Sequence, residues 1–204
     1  MEIKLMKLLK KFILVTVFSV LPVLAMAQPL TAVETAKTGV ESLLAKVSES
    51  KSYFLSDRDR YFSEIESVLI TFVDFEAVAT VVMSRFADSA NAAQTERFAD
   101  ILKNTLTRFY GAALVSYNGE ELAFLPSANQ PSDPRADTVV GMELRGGDTS
   151  FKLQYQMFLN QDDEWKLKNM SLGGINLGRQ YFTQFSALMG QHNNNIDQVL
   201  DNWK

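Results

Sequence analysis

The fold class that this sequence predicts is α+β, with N-terminal helices packed on one face of a roughly four-stranded antiparallel sheet. Three observations predict it. Apolar residues recur at spacings of three and four through the first half, the spacing changes to two after Asn118-Gly119, and the later segments follow one another through short turns. Helices first and an antiparallel sheet afterwards argue for helices packed on one face of the sheet.

Residues 1–27 are set aside first, because they carry the three parts of a secretory signal. Lys4, Lys7, Lys10 and Lys11 form a positive start, residues 12–24 an apolar run, and Ala25-Met26-Ala27 a small-residue cleavage pattern before Gln28. The run of 13 residues is short of the roughly 20 that span a bilayer, so cleavage is expected rather than anchoring. No Cys follows it for lipid modification, and the mature chain is expected to be soluble and exported to the periplasm.

Within the remaining stretch, Val33, Ala36, Val40, Leu43, Leu44 and Val47 make a first helical stripe. Tyr61, Ile65, Val68, Leu69 and Phe72 make a second, with Ser56 and Asp59 placed to cap its start. Asp74 reads as the N-cap of a third helix carrying Phe75, Val78, Val82 and Phe86. A long stripe through Phe98, Leu102, Leu106, Phe109, Tyr110 and Leu114 predicts a helix over 92–116. After the Asn118-Gly119 turn, Leu122 and Phe124 alternate, residues 127–137 read as a loop, and 138–144 as a strand. Gly146-Gly147-Asp148 turns it into Phe151, Leu153, Tyr155, Met157 and Leu159, which share one face, opposite Lys152, Gln154 and Gln156. Asp162-Asp163 turns into a strand over 165–170, Gly173-Gly174 breaks the pattern, and two C-terminal helices follow through Leu177 to Leu188 and Ile196 to Trp203.

Composition narrows the function. Removal of 27 of the 204 residues leaves 177, suited to a single domain over 28–204. That stretch holds 16 basic and 23 acidic residues, net −7, which argues against nucleic acid and anionic surfaces as partners. With no Cys and His192 as the one histidine, beside the Asn193-Asn194-Asn195 run, zinc and copper sites of the usual kind are not expected. Gly173 to Gly178 lacks the lysine and the βαβ setting of a phosphate loop, and no G-x-S-x-G elbow occurs. Asp57 and Asp59 fit a helix start, and Asp162, Asp163 and Glu164 a hairpin turn. One enzymatic alternative stands: an isomerase-like pocket pairing Asp74 or Asp137 with Tyr155. The 14 Phe, together with Met142, Met157, Met170 and Met189, mark an apolar excess where helices meet the sheet. Periodicity does not separate a filled core from a lined cavity.

The order of residues resembles the MlaC, or toluene-tolerance, family of periplasmic phospholipid-binding proteins. The resemblance rests on Val73-Asp74-Phe75-Glu76-Ala77-Val78-Ala79, Met83-Ser84-Arg85-Phe86, Gln94-Thr95-Glu96-Arg97-Phe98 and Tyr110. It continues through Tyr155, Glu164-Trp165-Lys166-Leu167, Gly174-Ile175-Asn176-Leu177, Tyr181 and Phe185. The chain departs from the family pattern at Gly173, Asn176 and Phe182, and has Met83-Ser84 where the family often has Leu-Gly. The resemblance implies a cone-shaped, nuclear transport factor 2-like domain with an apolar cavity, no cofactor, and phospholipid as cargo. It implies a monomeric carrier without enzymatic activity that serves outer-membrane lipid asymmetry. Its partners would be an outer-membrane MlaA-porin complex and an inner-membrane MlaD-containing ABC transporter complex. The cavity is expected to be lined by Phe75, Val78, Val82, Leu102, Phe109, Met142, Leu144, Phe151, Leu153, Tyr155, Met157, Leu159 and Ile175. Other readings are a different apolar cargo such as a hopanoid-like terpenoid, or a solid-cored envelope protein.

Overall fold

A computed structural model describes residues 30–126, 131–146 and 149–204. The signal-peptide reading of 1–27, part of the 127–137 loop and the turn at Gly147-Asp148 lie outside the described residues.

Four helices come first. Helix α1 (Ala32–Ser50) opens on a capping box, in which Thr31 Oγ1 accepts from the Glu34 N–H and Glu34 Oε2 accepts from the Thr31 N–H. Helix α2 (Arg58–Phe72) is capped by Asp57, whose Oδ1 accepts from Arg60 N–H at 3.1 Å. Ser56 and Asp59, the residues that the sequence suggested, are used elsewhere: Asp59 pairs with Arg108 of the fourth helix at 2.9 Å. Asp74 caps α3 (Phe75–Met83) as expected, accepting from Ala77 N–H at 2.8 Å, while its own N–H donates to Leu167 O at 3.0 Å. Helix α4 (Ala92–Leu114) runs very nearly over the expected residues and starts on an Asn91–Gln94 capping box.

Among the described residues the expected antiparallel sheet of roughly four strands has five: β1 (Glu121–Phe124), β2 (Thr138–Gly146), β3 (Thr149–Leu159), β4 (Trp165–Leu172) and β5 (Ile175–Asn176), antiparallel in sequence order. Gly173-Gly174 does not end the sheet. Both glycines have positive φ, +57° and +86°, and they close a two-residue hairpin of the kind that needs left-handed backbone at both positions. Helix α5 (Leu177–Gln191) follows at once, with Asn176 Oδ1 accepting from Arg179 N–H at 2.9 Å. Asn is a good N-cap, so the helix start is intact at Asn176, one of the positions where the chain departs from the family pattern. Phe182 has a similarly local role, packing near Phe86 with the Arg85 guanidinium 5.5 Å from its ring. Helix α6 (Ile196–Asp201) ends the chain, and Trp203 packs edge-on against Phe98, centroids 4.9 Å apart.

Three apolar clusters hold these elements together. Phe98, Leu102, Phe185, Val199 and Trp203 bind α3 to α6 into one unit. Ala32, Ala36 and Val40 of α1 join Phe72 over Val140, Met142, Tyr155, Met157 and Leu167 of the sheet. Leu43, Val47, Tyr61, Phe62 and Ile65 join α1 to α2. Gly39 makes the α1–α2 approach possible, because a Cβ there would come within 2.5 Å of the Phe72 ring. The buried Tyr61 hydroxyl donates to Gly111 O at 2.8 Å and ties α2 to α4.

Ser84 gives the first testable consequence. It ends α3 at φ +50°, ψ −119°, a region where a side chain is strained and glycine is not. A glycine, as in the Leu-Gly pair that the resemblance leads one to expect here, would carry no such strain. Ser84→Gly is expected to stabilise the fold by roughly 1 kcal/mol, a rise of about 2–4 °C in thermal midpoint at this chain length. A lower midpoint would show that the serine makes a compensating contact.

Candidate functional site

The sheet has one apolar face, and its two ends differ in what covers them. Cross-strand pairing puts Val140 beside Tyr155, Met142 beside Leu153 and Leu144 beside Phe151, with Leu172 beside Leu153 and Ile175 beside Leu172. Over the Val140–Tyr155 end lies α1, whose Ala32 and Ala36 are small enough to let the helix settle closely. At the other end α4 passes without settling. Its main backbone approaches are to α2, α3 and α6, whereas α1, α2, α3 and α5 each rest on strands.

The consequence is a cleft of about 190 Å³ between the end of α4 and the sheet. Ala113, Leu114, Ser116 and Tyr117 wall it on one side and Leu144, Gly146 and Phe151 on the other, and Glu120 of the helix-to-strand connection also lines it. Phe109 lies one helical turn before Ala113 and so shares its face. Phe109, Phe151 and Ile175 are 66%, 54% and 59% exposed. Of these, Phe151 lines the cleft itself; exposed apolar side chains also occur elsewhere on the surface, Leu55 and Ile70 among them.

The residues expected to line a cavity therefore divide. Met142, Tyr155 and Met157 are buried under α1, with Leu153 half-buried at the margin of that cluster. Phe75, Val78, Val82 and Leu102 belong to the separate α3–α6 cluster. Leu144 and Phe151 line the cleft, Phe109 and Ile175 stand exposed, and Leu159 lies half-buried at the far end of β3, beside Trp165. Ala113, Leu114, Tyr117 and Glu120 were not singled out as site residues. The signal for the first two was present, since both extend the Phe109 helical face or its neighbour, but the helix-to-strand connection carries no periodicity to read.

The pairing of an aspartate with Tyr155 is not formed at Asp137. Asp137 is exposed and ion-paired with Lys168, and Gln156 Nε2 reaches its Oδ2 at 3.5 Å, which places it with the outer face of the sheet. Tyr155 points to the inner face, where burial pushes its phenol up to about 12. Asp74 is engaged as the α3 cap. Among the described residues no group of three or more His, Cys, Asp or Glu is placed to hold a metal ion, and no helix is long and apolar enough to cross a membrane.

Near the cleft the polar groups are tied down locally. Tyr117 Oη donates to Glu120 O at 3.2 Å, and Lys51 Nζ donates to Tyr117 O at 3.1 Å. The Glu120 carboxylate accepts from Asn118 N–H at 2.9 Å, and backbone donors, Asn118 first and Glu120 itself second, hold it below the usual carboxylate range. Tyr110, on the same stretch of α4, is raised chiefly by burial and then by the Tyr181 hydroxyl of α5.

The end of α4 thus stands off a sheet that other helices cover, and an open cleft with apolar walls is left between them. The model of the MlaC protein family matches residues 37–204, and the chain belongs to that family. It is similar to the toluene tolerance protein Ttg2D of Pseudomonas putida, 28% identical over 163 residues, covering 79% of this chain and 74% of the relative. Among solved structures it is similar to a phospholipid-binding protein from Ralstonia solanacearum in complex with a phospholipid, with a TM-score of 0.75 at 22% identity, over 84% of this chain and 94% of that one.

Proposed function

We propose that this protein binds phospholipid and carries it through the periplasm between the outer and inner membranes, without chemistry of its own. The observation that carries this reading is the standing-off of α4. It leaves Leu144 and Phe151 facing Ala113 and Leu114 across an open apolar cleft. Family membership supports it, as does the likeness to a protein whose structure holds a phospholipid.

The energetics suit a carrier. Two acyl chains contain on the order of 30 methylenes, and at about 0.8 kcal/mol each their exposure to water costs roughly 25 kcal/mol. Free transit is negligible, and partial burial recovers much of that cost. At about 190 Å³ the cleft is narrower than the roughly 300–1,000 Å³ of small-molecule sites. Entry of acyl chains then separates α4 from the sheet, a movement that breaks little strand-to-helix packing because little exists there. Release calls for a partner that favours the emptied arrangement. An outer-membrane MlaA-porin complex and an inner-membrane MlaD-containing transporter are the expected donors and acceptors.

Organic extraction of the protein purified from its native compartment, with mass spectrometry of the extract, tests the reading. Diacyl phospholipid at close to stoichiometric amounts is the expected result. Recovery of a different apolar molecule would reassign the cargo, and a lipid-free protein that also takes nothing from phospholipid vesicles would overturn the carrier reading.

A further inference from the structure

Beside the cleft under α4 lies a second depression of about 390 Å³, walled by Glu41, Leu44, Ala45 and Ser48 of α1 and by Leu122 of β1. The two share Tyr117 and Glu120 and no other lining residue. The Tyr117 side chain is half-buried and rests against the α1–α2 cluster; its hydroxyl donates to Glu120 O, and the residue's backbone carbonyl accepts from Lys51 Nζ. Beyond it, Leu44 and Leu122 belong to the margin of the apolar cluster between α1 and the sheet, so apolar contact is available past the ring on those two side chains, in a depression that Glu41, Ser48 and Glu120 also line.

We propose that Tyr117 is the partition that sets how far an acyl chain can run between α4 and the sheet, and so makes it a chain-length determinant. This rests on the phospholipid-carrier reading. A side chain placed between two adjacent spaces limits an occupant by its volume, not by its hydrogen bond. Removing the ring joins the spaces, and each further methylene that leaves water along Leu44 and Leu122 favours the longer lipid about fourfold, ~0.8 kcal/mol per methylene.

The experiment offers the full mature chain an equimolar vesicle mixture of dimyristoyl and distearoyl phosphatidylcholine, and reads the bound ratio by mass spectrometry after repurification. Tyr117→Ala is expected to shift the ratio toward distearoyl by at least about fourfold relative to wild type. Tyr117→Leu, which retains apolar contact with the α1–α2 cluster, is expected to shift it the same way by less and serves if the alanine variant does not fold. Tyr117→Phe, which keeps the ring and loses the hydroxyl, is expected to match wild type. Lipid-loaded alanine and leucine variants with the wild-type ratio would overturn the partition while leaving the carrier reading in place. Wild-type protein that takes up neither lipid overturns both.

Discussion

Phe151→Asp is expected to leave the protein folded and to strip it of lipid. Phe151 is 54% exposed at the open end of β3, so a carboxylate there remains hydrated and the fold loses little, within about 1 kcal/mol. Its neighbour Leu144 faces the same cleft, and an acyl chain lying on the pair would have to desolvate the new charge. Burial of an unpaired carboxylate costs several kcal/mol even after relaxation, which corresponds to a loss of affinity on the order of a hundredfold or more. Lipid per protein after extraction, read beside the thermal midpoint, checks the expectation. A folded variant with wild-type lipid content would move the binding site away from α4 and the sheet end.

The contrast between Phe151 and its own strand shows what the sequence could and could not disclose. Alternation places Phe151, Leu153, Tyr155 and Met157 on one face, and pairing with β2 and β4 confirms that they share it. Alternation is silent on what lies over each of them. Met157 is covered because Phe72 and the small Ala32 and Ala36 bring their helices down over that end, while Phe151 is open because α4 is held by Tyr61, Phe62 and the α3–α6 aromatics instead. Coverage is decided by contacts between residues far apart in the chain, and no local pattern encodes it.

Elsewhere legibility followed the strength of local chemistry. The α4 stripe and the Asp74 cap were readable because each is a local arrangement of residues with a single structural solution. At the start of α2 the sequence offers Ser56, Asp57 and Asp59 within four residues, all able to cap, and only the backbone geometry shows that Asp57 does so while Asp59 pairs with Arg108. The two-residue strand β5 was missed because it is too short to show a period, though two glycines with positive φ in succession are what its hairpin requires.

Met157→Asp should have the opposite outcome to Phe151→Asp, although the two positions lie on one strand and one face. Met157 has no exposed surface, sits beside Leu167 across the ladder and packs in the cluster that includes Ala32, Ala36 and Phe72. No described cation is ion-paired in that cluster, so the carboxylate is left buried without a partner. The lost apolar burial and the unpaired charge together exceed about 4 kcal/mol, a large part of the roughly 5–15 kcal/mol that holds a domain together. The expected result is loss of a cooperative urea transition, or a midpoint displaced far below wild type, with lipid lost only because the fold is lost. A Met157→Asp protein that melts like wild type but carries no lipid would mean that the space beneath α1 opens to admit acyl chains. The carrier would then hold its cargo across the whole inner face of the sheet, not at the α4 end alone.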